Sequence, residues 1–215
     1  MIIGISGRIG SGKDTVGEII QEVCLSNHGP VFEVKKFAGK LKQIASLLTG
    51  IPVEDFEDQE FKKSYLGGEW GTVESNPLNA VPVFEDIAFN HLMSVRELLQ
   101  KLGTEAIRDG LHPNAWVNAL MCEYKRPKMS EYNPSNWIIT DVRFPNELEA
   151  VEDVKGITIR VHRDLYDGKA RISKNLHPSE TAIDDAKFDY EIINDGSIED
   201  LIEKVKQILI TEKII

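Results

Sequence analysis

Cysteine is almost missing from this chain: Cys24 and Cys122 are the whole complement, far apart and without C-x-x-C spacing. That argues against a disulfide framework or a cysteine-based zinc site and leaves free thiols in a reducing cytoplasm as the expectation. Basic residues are outnumbered as well. Lys and Arg total 25 against 35 Asp and Glu, a formal net charge of -10, so the basic face needed to grip a nucleic-acid polymer through its phosphates is not expected. A local basic cluster for a small anionic ligand is compatible with the same balance. No apolar run reaches membrane-spanning length, so no membrane contact is expected. The opening MIIGISGRIG has no basic n-region and is broken by glycines, so it reads as a strand entering a loop rather than as a signal peptide. There is no internal repeat and no low-complexity stretch. What remains, 41% hydrophobic and 28% charged side chains in 215 residues, suits one compact α/β domain or a core carrying a sizeable insertion.

Periodicity divides the chain into alternating strands and helices. Met1 to Ser6 is a short apolar strand, and Val16, Ile19, Ile20 and Val23 then recur at helical spacing. Val31 to Phe37 reads as a second strand and Gly39 to Leu48 as a helix. From Ile51 to about Asn90, acidic residues, glycines and prolines suggest an excursion of helix and loops rather than more core. Ser94 and Glu97 form a capping-box pattern for a helix to Arg108, and Ala115 to Tyr124 makes another. Lys125 to Pro134 is a polar connection into the buried strand WIIT, Trp137 to Thr140. Asn146 is placed to cap a helix bearing Leu148, Val151 and Val154, followed by a strand at Ile157 to Val161. Arg163 to Pro178, charged and weakly patterned, reads as a mobile lid. Phe188 to Ile193 is the last strand, Asn194-Asp195-Gly196 a turn, and Ser197 the cap of a terminal helix. Such alternation argues for a parallel sheet sandwiched by helices.

Gly7-Arg8-Ile9-Gly10-Ser11-Gly12-Lys13 fits the first seven positions of G-x-x-x-x-G-K-[ST], between a strand and a helix as that phosphate-binding motif requires. Glycines let backbone N–H groups approach phosphate oxygens, the helix N-terminus adds a favourable dipole, and Lys13 brings a point charge to the β- and γ-phosphates. The eighth position departs: Asp14 stands where a Ser or Thr hydroxyl would ligate Mg²⁺, with Thr15 next. Asp14 acting through water and Thr15 acting from a shifted loop are both open. Asp141, at the end of the WIIT strand, is the candidate for a second acidic residue near the metal, since ligands bind at that edge of open α/β sheets. An aspartate there is as readily a turn or cap residue. Arg143 and Glu147 add a cluster of charge beside it. The residues alone thus read as a P-loop kinase that uses ATP and Mg²⁺ to phosphorylate a small molecule.

The cradle with its GKDT, SVRELLQKLGTE (Ser94 to Glu105), AWV (Ala115 to Val117), TDVRFPNELEA (Thr140 to Ala150), HPSE (His177 to Glu180) and INDGSIEDLIEKV (Ile193 to Val205) resemble, in order, bacteriophage deoxynucleoside monophosphate kinases. The resemblance spans nearly the whole chain and is thinnest from Ile51 to Asn90. It implies transfer of the ATP γ-phosphoryl group to a 2′-deoxynucleoside 5′-monophosphate, and a cytoplasmic location, the host's if the chain is of phage origin. It also implies a P-loop nucleoside triphosphate hydrolase-like fold, with residues 1–50 and 91–215 as core, 51–90 as an acceptor-side insertion and a lid at about 163–178. Arg96, Gly103, Thr104, Trp116, Asp141, Arg143 and Glu147 match family positions lining the acceptor site. Arginine forks suit a phosphate, Trp116 offers a face to a base, and Asp141 and Glu147 can accept hydrogen bonds. Trp116 is equally a core residue by its setting, and Glu147 in a first helical turn is favourable to the dipole in any case. In the lid, Arg163, Lys169, Arg171 and Lys174 are candidates to close over the transferring group, with a solvated loop as the plainer reading. Lys36, Lys40 and Lys42 follow the second strand, where an acceptor phosphate could sit, and Lys62 and Lys63 lie on the insertion. Asn194 to Ser197 is expected near the adenine. Other small-molecule kinases, of dephospho-coenzyme A or phosphomevalonate type, and a nucleotide-controlled binding module without chemistry are the competing expectations. Oligomeric state is left open, a homodimer included.

Overall fold

The computed structural model describes residues 1–70, 92–125, 136–163 and 181–215. The second half of the expected insertion, most of the polar connection before WIIT, and Lys169, Arg171 and Lys174 of the expected lid lie outside the described residues. The described chain forms two compact units, Met1–Phe37 with Val117–Ile215, and Ala38–Trp116. The second unit takes in residues on both sides of the 51–90 stretch.

In the first unit five parallel strands, β1 (Ile2–Gly7), β2 (Phe32–Lys35), β3 (Asn136–Val142), β4 (Ile157–His162) and β5 (Tyr190–Ile193), are ordered β2-β3-β1-β4-β5. The two strands that flank the centre are buried along most of their length, as a doubly covered parallel sheet requires, although one face of β4 carries Thr158 and Arg160. On one face Ile3 and Ile5 of β1, Ile138 of β3 and Ile159 of β4 pack with Val16, Ile19 and Ile20 of α1 (Lys13–Ser26). Leu201, Val205 and Leu209 of α6 (Ile198–Thr211) join the same cluster. On the other face Ile2, Trp137, Ile139 and Val142 meet Val117, Leu120 and Met121 of α4 (Ala115–Lys125) and Leu148 and Val151 of α5 (Pro145–Glu152). Each such aliphatic side chain contributes about 1.5–3 kcal/mol when fully buried. The period-2 alternation of β3 therefore aims Ile138 and Thr140 at α1 and their neighbours at α5, which decides what Thr140 can reach.

Helix ends follow local chemistry. The Ser197 hydroxyl accepts the Asp200 N–H at 3.2 Å and the Asp200 carboxylate accepts the Ser197 N–H at 2.9 Å, a complete capping box for α6. Helix α5 starts earlier than an Asn146 cap would place it: Phe144 is the N-cap and Pro145, with its fixed φ and no N–H to satisfy, takes the first helical position.

The second unit has its own small core, in which Ala45 of α2 (Ala38–Thr49), Phe56, and Val95 and Leu98 of α3 (Val95–Gln100) are buried. Ser94 caps α3 as expected, its hydroxyl accepting the Glu97 N–H at 3.2 Å. The single α-helix expected to Arg108 is not what forms: from Lys101 to Asp109 the backbone widens into π-helical turns. That wider winding re-aims carbonyls that an α-helix would direct at its own amides, and within it the Gly103 carbonyl takes a side-chain partner described below.

Ile138→Ala, at a fully buried position, is expected to reduce stability to chemical denaturation by about 2–5 kcal/mol. Leu47→Ala, at a position 86% exposed, should change it by less than about 0.5 kcal/mol. Comparable losses for both would contradict this assignment of the core.

Candidate active site

β1 ends at Gly7 and α1 begins at Lys13, so the whole turn is made by the residues of the phosphate motif. The Ser11 N–H donates to the Arg8 carbonyl at 3.1 Å, and Gly10 and Gly12 take φ of 80° and 96°, left-handed conformations that cost glycine little. Gly7 is needed for a different reason. A Cβ there would lie 2.3 Å from the Ser11 Oγ and 2.7 Å from the backbone carbonyl of Val161 on β4. The loop is also braced from β5: the Asn194 side-chain amide donates to the Ser11 carbonyl at 2.9 Å, and a Cβ on Gly12 would come 2.5 Å from that same nitrogen. Asn194, expected near the adenine, is thus seen to hold the loop itself. Lys13 is buried at the first residue of α1, where the first-turn N–H groups have no partner within the helix. The Ser11 hydroxyl is buried with no hydrogen-bond partner. A tight, glycine-dependent turn, a buried lysine and a helix N-terminus are the features that a phosphate receptor requires.

Asp14 is tied to β3. The Thr140 hydroxyl donates to its Oδ1 at 2.7 Å, and the Lys36 Nζ lies 3.4 Å from the same oxygen. Partial burial alone would raise the Asp14 carboxyl, but the Thr140 hydrogen bond and the charges of Lys36 and Lys13 outweigh it and hold the group below its ordinary value of 3.8. Thr15 is half-buried beside it.

At the end of β3, the buried Asp141 accepts the Phe37 N–H on Oδ1 at 2.8 Å, joining the end of β2 to the end of β3. Arg143 is half-buried in the loop that follows. Glu147 is buried in the first turn of α5, and its Oε2 accepts the N–H groups of Arg143 at 2.8 Å and Phe144 at 3.2 Å. The side chain of Glu147 therefore caps its own helix and fixes the backbone of Arg143, the capping role that its place in the sequence also allows.

In the second unit Lys42 is buried and ion-paired with Glu57. Arg96 donates to the Gln59 side-chain oxygen at 3.2 Å. Within the π-helical turns, the buried Trp116 indole N–H donates to the Gly103 carbonyl at 2.8 Å. A Cβ at Gly103 would sit 2.8 Å from Leu41 Cδ2. Thr104 is half-buried next to it. Gly103 and Trp116 thus form a structural tie within this unit. Arg171 lies outside the described residues.

A sequence profile of the deoxynucleotide monophosphate kinase family matches residues 60–205. The chain belongs to the deoxynucleotide monophosphate kinase family. It is 25% identical to the deoxynucleoside-5′-monophosphate kinase of Escherichia phage T5, over 90% of this chain and 89% of the relative. It is 26% identical to the deoxynucleotide monophosphate kinase of Enterobacteria phage T4, over 97% and 98% respectively. A third relative, named a putative deoxynucleotide monophosphate kinase, from Acanthamoeba polyphaga mimivirus, is 27% identical over 95% of this chain and 94% of its own length. Among the described residues no helix is long and apolar enough to cross a membrane.

Three residues of this kinase's loop surroundings lie outside the motifs, Ser6, Arg160 and Asp184, and the contact of a fourth, Thr140, is not given by its motif. Arg160 carries the clearest signal, a charged residue within the apolar strand ITIRVH, where burial demands a counter-ion. Thr140 is legible only by counting alternation from Ile138.

Gly7→Ala is expected to lower phosphoryl-transfer turnover about a hundredfold, because the added Cβ displaces the loop by an ångström or more; turnover within twofold of the parent, measured by ADP release, would contradict the close approach. The lowered Asp14 carboxyl also fixes the sign of a pH effect. Its contribution to stability is fully present above 3.8 and fades as pH falls from there through the lower folded value. The stability deficit of Asp14→Asn relative to the parent should accordingly shrink in acid denaturation below that pH, and a deficit that grows there would contradict the charge environment.

Proposed function

We propose that this kinase transfers the terminal phosphoryl group of ATP, with Mg²⁺, to the 5′-phosphate of a 2′-deoxynucleoside monophosphate, giving ADP and the deoxynucleoside diphosphate. The observation that carries the donor half is the buried Lys13 at the head of α1 behind a turn that admits no side chain at Gly7. Family membership supports the acceptor half. Phosphoryl transfer asks for in-line positioning and charge neutralisation rather than a covalent nucleophile, and no serine, cysteine or histidine nucleophile is assigned.

On the donor side, Gly7 to Thr15 receive the phosphates, with Lys13 at the β- and γ-phosphates and Arg8 at the mouth of the loop. Asp14 and Thr15 supply oxygen donors of the kind magnesium takes. Asp14 is held ionised, and both of its polar contacts from Thr140 and Lys36 fall on Oδ1. The donor set therefore fits the ion, with Asp14 binding directly or through water. When bound, magnesium spreads the charge of the transferring phosphates and aligns them. Asp141, whose Oδ1 accepts the Phe37 N–H, is proposed as the second acidic residue near the ion.

On the acceptor side, Arg143 is proposed to meet the substrate phosphate through its planar fork. Glu147 acts behind Arg143 by holding its backbone N–H. Within the second unit, where Lys42 pairs with Glu57 and the Trp116 indole N–H binds the Gly103 carbonyl, Lys42, Arg96, Gly103, Thr104 and Trp116 are proposed as acceptor-side residues. Arg171 is proposed to act from the lid.

A panel assay with Mg²⁺-ATP and each of the four common deoxynucleoside monophosphates, with dephospho-coenzyme A and phosphomevalonate as comparators, should give ADP and a deoxynucleoside diphosphate with at least one of the former. Turnover of none of them would overturn the proposal. Lys13→Ala is expected to cut kcat by roughly two orders of magnitude or more, the cost of losing a preorganised charge at the transition state. Arg143→Ala should raise KM for the monophosphate more than KM for ATP, and an unchanged acceptor KM would remove Arg143 from that role.

A further inference from the structure

Asp184 stands outside every motif in the chain, yet its two carboxylate oxygens bind two different arginines. Oδ1 accepts from Arg160 at 2.7 Å and Oδ2 from Arg8 at 2.7 Å. Arg160 is 7% exposed. Its other terminal nitrogen donates to the buried Ser6 hydroxyl at 2.7 Å, and its guanidinium lies 5.6 Å from the centre of the Phe188 ring. Ser6 is the residue before the phosphate cradle and is paired in register with Arg160 across β1 and β4.

A buried guanidinium cannot be left without a counter-ion, so Asp184 is fixed by Arg160 whether or not Arg8 is present. That matters for Arg8, whose side chain is 61% exposed. An exposed arginine pairing with an equally mobile carboxylate gains little, because both side chains lose freedom. Here one partner is already ordered, and only Arg8 has freedom left to lose. Two arginines share one carboxylate, so the cluster keeps a net positive charge beside the loop instead of cancelling it.

We propose that Asp184 is a positioning residue for the phosphoryl donor: it holds the Arg8 guanidinium oriented at the mouth of the phosphate cradle while Arg160 keeps the local charge positive. The proposal rests on the donor reading of the cradle given above.

The test is a steady-state comparison of the full-length parent with Arg8→Ala, Asp184→Asn, the double variant and Lys13→Ala, measuring kcat and the KM for ATP and for the deoxynucleoside monophosphate separately. Arg8→Ala and Asp184→Asn should each raise KM for ATP about threefold to tenfold, the range expected when a charge-assisted hydrogen bond at a partly exposed position is removed. Acceptor KM should stay within about twofold of the parent, and the double variant should be no worse than Arg8→Ala alone, because Asp184 acts through Arg8. Asp184→Glu, which restores the charge, should recover at least half of the loss. Additive effects, equal rises in both KM values, or a parental KM for ATP in Asp184→Asn would overturn the proposal. If Asp184→Asn melts below the assay temperature, the Arg8 guanidinium NMR signals of the parent decide: restricted rotation with and without ATP supports the arrangement, and free rotation in both overturns it. Near-parental kcat in Lys13→Ala would instead mark failure of the donor reading itself.

Discussion

The approach of Gly7 to β4 is the constraint on which the rest of the site depends. Because the Val161 carbonyl and the Ser11 hydroxyl occupy the space a Cβ would need, the chain can leave β1 along only one path, and α1 must start at Lys13 with its amides facing the turn. Everything nearby then serves to hold that path. Asn194 fastens the Ser11 carbonyl from β5, Thr140 fastens Asp14 from β3, and Arg160 fastens Ser6 from β4. Side chains on or next to three strands thus each hold one residue at or beside the turn, and its geometry depends on the sheet as well as on its own sequence. A preorganised receptor of this kind meets developing charge without rearranging, which is where electrostatic catalysis draws its strength.

How much of this is legible in the sequence depends on whether a residue acts locally or across the sheet. The cradle, the strand-helix alternation and the Ser94 and Ser197 caps are local devices, and each stands in the structure where its spacing puts it. The parallel sheet follows from alternation alone. Residues whose roles depend on a partner far along the chain are harder to read. The loop position of Asn194 gives no sign of its hydrogen bond to the Ser11 carbonyl, 183 residues earlier. Glu147 offers two readings, and the Arg143 and Phe144 amides take its carboxylate into a cap. Trp116 likewise offers two, and its indole N–H is committed to Gly103. That last contact falls in a π-helical segment, which the stripe of Leu98, Leu99, Leu102 and Ala106 does not foretell, because an apolar stripe at three- and four-residue spacing is compatible with either winding over so short a segment.

The departure at the eighth motif position becomes intelligible once charge is counted around the loop. An aspartate in place of a hydroxyl brings a negative group next to a site meant for phosphates, an unfavourable exchange if nothing else changes. The structure surrounds it with cations: Lys13 and Lys36 lie close enough to hold Asp14 below its ordinary pKa, and Arg8 and Arg160 flank the other side of the turn around Asp184. Four cations against two carboxylates leave the neighbourhood positive in a chain whose formal net charge is -10. The acidic remainder of the surface repels nucleotides weakly and over long range, where salt screens it, while the local cluster acts at short range beneath that screening. Asp14 can therefore take the metal-holding role proposed for it without turning the cradle against an anionic ligand. The same reasoning explains why Asp184 must be shared rather than paired with Arg8 alone: a one-to-one pair would have cancelled a charge that the loop needs.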